Sequence, residues 1–239
     1  NCTFAGNSAP RGGAILSVSN NGTSFVTVRN CTVTNNTATS AGHSADGGGG
    51  YYGEGAVGNS LHHFANTILA GNHNAVNPDL RGYGTSEGHN LVGNLGQIGS
   101  GFSNGVNGDL VGVDPEFSPF GLEDNGGATD TWSLRATSPA RDAGDDALAP
   151  ATDQRGNARA GVSDIGALEL PDIVPTAGEI ERVANDLVIS FGNAIKGSVY
   201  RLERKFDPNA LWPSEMMPPP AAEFPGCRRA REWHGQHHS

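Results

Sequence analysis

Two acidic side chains facing one groove, about 5–9.5 Å apart, are the smallest constellation that hydrolyses a glycosidic bond. The 239-residue chain offers two adjacent pairs, Asp145-Asp146 and Glu123-Asp124. Neighbours on a strand face opposite ways, so either pair needs a turn to converge. Lyase chemistry needs a base, often Lys or Arg, beside calcium-binding carboxylates. The only lysines are Lys196 and Lys205, and only Arg11, Arg29 and Arg81 precede residue 120. Asp79, Asp109 and Asp114 are the carboxylates that calcium, the one cofactor in view, could take. No D-x-[DN]-x-[DN]-G loop frames them. His62-His63, His73 and His89 match no zinc spacing and read as loop residues. The run Gly47 to Gly50 lacks the Lys-Ser/Thr of a phosphate loop, and no serine sits in a G-x-S-x-G elbow. Tyr51 and Tyr52 either stack on a sugar ring or cover a flank of the fold. Tyr51, Tyr52, Asp145 and Asp146 are therefore the candidate ligand-binding residues. No residue is assigned a catalytic role, and no metal site is defined.

The composition bounds the elements that must position such residues. The chain holds 35 glycines and 21 asparagines, both poor helix formers that favour turns. The glycines lack the period of three that collagen needs. No window of about 18 apolar residues exists, so no helix of this chain is expected to span a bilayer. Residues 1–172 carry 17 acidic and 7 basic side chains; residues 173–239 carry 8 of each. The acidic part repels phosphate backbones, which argues against nucleic-acid partners. This shift places a boundary near Pro171-Asp172. Cys2, Cys31 and Cys227 are too few, and odd in number, for a disulfide scaffold. Cys2 and Cys31 occupy matching places of a repeat, where they either bridge or pack as small side chains.

That repeat reads N-[CT]-x-[apolar]-x-x-N, at Asn1-Cys2-Thr3-Phe4-Ala5-Gly6-Asn7, Asn30-Cys31-Thr32-Val33-Thr34-Asn35-Asn36 and Asn66-Thr67-Ile68-Leu69-Ala70-Gly71-Asn72. A weaker echo is Gly88-His89-Asn90-Leu91-Val92-Gly93-Asn94. Each copy contains a short strand, one of them a continuous run from Phe25 to Val33, followed by Asn, Gly and Ser. No helical pattern separates the strands. Short strands, repetition and Asn/Gly turns predict an all-β chain, a right-handed single-stranded parallel β-helix or solenoid. Phe4, Val33 and Leu69 then stack inside, and Asn7, Asn36 and Asn72 form a structural ladder. His43 to Gly50 and Thr85 to Gly105 read as loop excursions. The chain opens inside a repeat without a Met, so it is expected to be the C-terminal portion of a longer protein.

Phe4-x-x-Asn7 and Gly12-Gly13-Ala14-Ile15 resemble the FxxN and GGA[ILV] repeats of the polymorphic outer-membrane protein family. Residues 120–170 carry four further blocks in order: Asp124-Asn125-Gly126-Gly127, Ser138-Pro139-Ala140-Arg141-Asp142-Ala143-Gly144, Asp153-Gln154-Arg155-Gly156 and Asp164-Ile165-Gly166-Ala167-Leu168-Glu169. Their order resembles the choice-of-anchor Q domain. The resemblance implies a C-terminal β-helix region of an exported bacterial protein, with no established catalytic residues. In this reading Asp124, Asn125, Asp142, Asp153, Arg155 and Asp164 are structural. Arg155 clamps a carboxylate such as Asp142 or Asp164, and Ile165, Ala167 and Leu168 cap the last coil.

The expected organisation is coils at 1–119, a cap at 120–171, a partial, truncated β-sandwich-like module at 172–212, and a disordered or aberrant tail at 213–239. Within the module, Asp186 to Phe191 and Gly197 to Arg204 read as two strands. The expected role is a non-catalytic, secreted or cell-surface adhesin or scaffold that meets polysaccharide or a host or matrix surface. The alternatives are a polysaccharide lyase or glycosidase with upstream catalytic coils, and a passive spacer.

Overall fold

The computed structural model describes residues 1–19, 23–40, 47–54, 60–96 and 99–171, with two further strands at Thr176–Val183 and Asp186–Gly192. The chain divides into two units, Asn1–Val199 and Tyr200–Ser239. The second unit, with the expected tail, lies outside the described residues, as does the strand expected at 197–204. The described residues are all-β and contain no helix.

The chain visits the same sheets repeatedly in one order. The first pass lays down β1 (Cys2–Ala5), β2 (Ser8–Ala9), β3 (Ile15–Val18) and β4 (Ser24–Arg29). The second lays down β5 (Cys31–Thr34), β6 (Thr37–Ala38), β7 (Tyr51–Glu54) and β8 (Ser60–Ala65). The third supplies β9 (Ile68–Leu69), β10 (Leu80–Tyr83) and β11 (Thr85–Gly88), and β12 (Leu91–Val92), β13 (Gly99–Ser100) and β14 (Leu110–Val111) follow. Every pairing among these strands is parallel: β1-β5-β9-β12-β14 form a five-stranded sheet, β3-β7-β10-β13 a four-stranded sheet, β4-β8-β11 a three-stranded sheet, and β2-β6 a pair.

The run from Phe25 to Val33 is therefore two strands. Asn30 breaks it in the left-handed region, at φ 48°, and Asn66 and His89 do the same at φ 48° and 54°. Gly6, Asn35 and Gly71 make the next corner, at φ 71°, 54° and 72°. Left-handed backbone costs most residues about 1–2 kcal/mol, and Gly and Asn bear it best. This accounts for Asn or Gly at most of these corners.

The inward row of the five-stranded sheet is Phe4, Val33, Leu69, Val92 and Val111, all in direct register. It meets Ile15, Tyr51 and Leu80 from the four-stranded sheet and Val28 and Phe64 from the three-stranded sheet in one core. Tyr51, Phe64 and Phe102 pack edge to face through that core, with centroids 5.0 and 5.5 Å apart. The asparagine column lies at the strand ends. Asn7 Nδ2 donates to Asn36 Oδ1 at 2.8 Å, and Asn36 Nδ2 to Asn72 Oδ1 at 2.9 Å. Asn72 Nδ2 donates to Asp79 Oδ1 at 2.9 Å. Each oxygen also accepts the backbone N–H of the preceding asparagine.

Asn94 does not continue this column, although the sequence echo aligns it with Asn72. Leu91 stands opposite Ile68 and Val92 opposite Leu69, which puts the echo one residue out of register. Asp79 ends the ladder in its place, because a carboxylate only accepts. Both expected excursions are also corrected. Gly47–Gly50 accept the backbone N–H groups of Gly12, Gly13, Ala14 and Ile15 at 3.0–3.2 Å and are buried, while 43–46 lie outside the described residues. Thr85–Gly105 contains β11, β12 and β13. Beyond the parallel sheets, β15 (Phe117–Glu123) and β16 (Thr131–Leu134) form an antiparallel hairpin. The partner of Asp186–Gly192 (β18) is Thr176–Val183 (β17), a strand that the sequence reading missed.

Two stability measurements check this arrangement. Asn36→Ala removes a buried residue bonded on both sides and is expected to cost about 2–4 kcal/mol in chemical denaturation; Asn7→Ala, exposed at the column's end, is expected to cost under about 1 kcal/mol. A Cβ at Gly13 would sit 2.4 Å from Gly49 O, whereas one at Gly6 meets nothing within 4 Å. Gly13→Ala should therefore lower the melting temperature well beyond Gly6→Ala, which carries only the backbone cost of about 1–2 kcal/mol.

Candidate functional site

Within 120–171 the four sequence blocks lock onto one another. Asp124 Oδ1 accepts Gly126 N–H, and Asn125 Nδ2 donates to Thr131 O and Oγ1, which closes the hairpin turn. Arg155 reaches the carbonyl of Asn125 from the third block. The Asp142 N–H donates to Asp164 Oδ1, and the Ile165 N–H to Ala140 O, which ties the second block to the fourth.

Arg155 does clamp a carboxylate, but it is Asp153, at 2.6 Å, and not Asp142 or Asp164. Asp153 also accepts the N–H groups of Arg155, Asn157 and Glu169, so a single buried carboxylate shapes the whole turn. Arg159 pairs with Glu169 at 2.8 Å, both almost fully buried. Breaking one side of such a pair costs about 3–5 kcal/mol.

This segment does not cover the end of the parallel sheets. It runs across the outer face of the five-stranded sheet. Ile165 packs with Ile68, Leu91, Leu134, Ala140 and Leu170 in a second core, with Leu110 and Phe117 at its margin. The Gly166 N–H donates to Asn66 O, and the Ala167 N–H to Thr32 Oγ1. Gln154 meets Thr3 at 2.8 Å, and Arg159 meets Asn1 at 3.1 Å. The segment thus reaches from the first strand of the sheet to its last. The signal for it was present: Ile68-Leu69, Leu91-Val92 and Leu110-Val111 are adjacent apolar pairs, which mark strands buried on both faces.

The other candidate residues divide between this segment and the parallel sheets. Asp145 Oδ1 accepts Ala147 N–H, and the Asp145 backbone is bonded on both sides to the Asn66 side chain. Asp146 Oδ1 accepts Ser163 N–H, and that bond holds its carboxyl below the usual aspartate range. Asp79 and Asp109 are buried and serve as column ends. Asp79 takes Asn72 and Asn94; Asp109 takes the backbone and side-chain N–H groups of Asn90 and the Ser86 hydroxyl. Asp114 caps Glu116 N–H at the surface. Among the described residues, no three His, Cys, Asp or Glu side chains gather into a metal-ion site.

Tyr51 and Tyr52 are not a sugar platform. Tyr51 lies in the core, 5.7 Å from the His62 ring, and burial pushes its hydroxyl above the usual tyrosine range. Tyr52 faces outward but is covered: Arg81 lies 4.3 Å over its ring, and its hydroxyl donates to Glu54 at 2.7 Å. The histidines are not simple loop residues. His62 and His63 stand on β8, and His62 Nε2 is 2.9 Å from Ser24 Oγ and 3.1 Å from Ser17 Oγ inside the fold. Burial lowers its tendency to protonate.

Several large apolar side chains that sequence reasoning did not single out also stand exposed. Phe25 (73% exposed) and Leu61 form a cross-strand pair on the three-stranded sheet, and Leu16, Val18 and Tyr83 (52%) stand exposed on the four-stranded sheet. Beside Phe25 and Leu61, Glu87 bridges Arg29 at 2.5 Å and His63 at 3.2 Å. Alternation in Ser24–Arg29 was the available signal. Compared with known proteins, the chain matches no family model, no curated protein and no solved structure.

Asp164 supplies the test of the bonded segment. It is fully buried, its oxygens accept the Asp142 and Leu170 N–H groups, and burial outweighs those bonds to raise its pKa to about 7. The folded chain thus holds this proton more tightly than the unfolded one. The stabilisation is complete below about pH 4 and is lost as the pH rises through 7. Asp164→Asn is expected to flatten the fall in melting temperature between pH 5 and 8, as calorimetry across that range would read.

Proposed function

We propose that this chain belongs to an exported bacterial surface protein and works as a non-catalytic adhesin or matrix- or carbohydrate-binding scaffold. Its parallel strands are coils of a right-handed single-stranded β-helix. The 120–171 segment, which resembles the choice-of-anchor Q domain, straps them, and a partial β-rich module follows at 172–212. The observation that supports this reading is the set of exposed side chains on two sheets: Phe25 and Leu61 on the three-stranded sheet, beside the Arg29–Glu87–His63 cluster, and Leu16, Val18 and Tyr83 on the four-stranded sheet. Apolar and aromatic side chains ranked along stacked strands offer a rigid surface to an extended polymer at little entropic cost. The acidic pairs proposed for hydrolysis lie in 120–171, where Asp124, Asp145 and Asp146 each hold a backbone N–H. The partner is an extracellular polysaccharide or a host or matrix surface, and the setting is the cell surface or its exterior.

The test is incubation of the purified chain with acidic and neutral polysaccharides, with and without calcium, following both retention and product release. Retention without products is expected, weakened about tenfold by Phe25→Ser with Tyr83→Ser at an unchanged melting temperature. Product release abolished by Asp145→Ala or Asp146→Ala would replace this reading with a lyase or glycosidase. Neither signal would leave a passive spacer.

A further inference from the structure

Cys2 and Cys31 are direct partners across β1 and β5. Paired residues of parallel strands point to the same face and lie about 4.8 Å apart, inside the 4.4–6.8 Å or so that a disulfide spans between Cα atoms. The two thiols head a column at one corner of the sheets. Cys31 Sγ donates to Arg29 O at 3.1 Å, as Thr67 Oγ1 does to Ala65 O and Asn90 Nδ2 to Gly88 O on the passes below. Further down, the N–H of each pass donates to the side chain of the next: Cys31 to Thr67, Thr67 to Asn90, Asn90 to Asp109. Thr67, Asn90 and Asp109 thus join this column by hydrogen bonds. A thiol is a weak hydrogen-bonding group, so the Cys2–Cys31 step of this column is held less tightly than the steps below it.

From this we infer that Cys2 and Cys31 form an oxidative staple, a disulfide that reinforces the β1–β5 step of the column. The exposed Cys2 thiolate attacks a low-molecular-weight disulfide, forming a mixed disulfide and expelling one thiolate. Cys31 then loses its proton and attacks the Cys2 sulfur; the Cys2–Cys31 bond forms and the second small thiolate leaves. The small disulfide is reduced to two thiols, which take up the two protons. Cys31 is buried, and burial pushes its thiol up, so it acts as the resolving partner and not as the first nucleophile. The bridge closes a loop of about 30 residues, long enough for a substantial restriction of the unfolded chain. The inference does not depend on what the outward face binds.

The experiment uses the full chain carrying Cys227→Ser, exposed to oxidised glutathione and digested without reduction. A peptide linking residues 2 and 31 is expected, with both thiols lost together. Amide exchange over Thr3–Ala5 should slow about tenfold or more on oxidation, and dithiothreitol should reverse it. The Cys31→Ser variant should stop at a mixed disulfide on Cys2. Glutathione retained on Cys2 when Cys31 is present would overturn the staple, as would chains joined Cys2 to Cys2. A bridge that leaves exchange at Thr3–Ala5 unchanged would overturn its holding role.

Discussion

Hydrogen bonds that run from one pass of the chain to the next, in one direction, set the register on which the rest of the structure depends. Apolar rows supply more energy, about 1.5–3 kcal/mol for each buried side chain, but they do not choose the register alone. In the five-stranded sheet Ile68-Leu69, Leu91-Val92 and Leu110-Val111 are apolar on both faces, so a slip of one residue would still bury apolar groups. A slip would instead orphan a buried amide, at about 1–3 kcal/mol each. Asn36 and Asn72 at one corner, and Thr67 and Asn90 at the other, forbid it. Both columns end on aspartates, Asp79 and Asp109, because a carboxylate receives the last donors and passes none on.

The segment 120–171 works by the same logic with charges. Its outer-face position removes water from Ile68 and Leu91 and brings Asp153, Asp164, Arg159 and Glu169 into the interior. Asp153 and Glu169 have arginine partners; Asp164 accepts backbone N–H groups instead, and burial outweighs them to raise its proton affinity. The blocks that stand out in the sequence are the residues that satisfy this buried polar network. Their distinctiveness therefore reports assembly, while the surface available to ligands uses ordinary side chains such as Phe25 and Tyr83.

That division explains what was legible. The inward row of Phe4, Val33 and Leu69 and the ladder of Asn7, Asn36 and Asn72 could be read from spacing, since each repeat places the same residue at the same point of the pass. The break at Asn30 could not, because a β-branched run looks continuous until a left-handed residue turns it. Gly47–Gly50 looked like a loop because glycine runs usually are; here close approach of neighbouring backbones demands them. Tyr51 and Tyr52 looked available because aromatic character does not reveal which face of a strand is covered.

The sequence by itself determined the secondary-structure class, the repeated strands and the column of asparagines, since these follow from local propensity and periodic placement. Only the tertiary structure decided that 120–171 lies along the five-stranded sheet, that Arg155 chooses Asp153, and that Asp79 ends the asparagine column. Each of those depends on which buried donors remain unsatisfied once the strands have stacked. That count exists only in three dimensions.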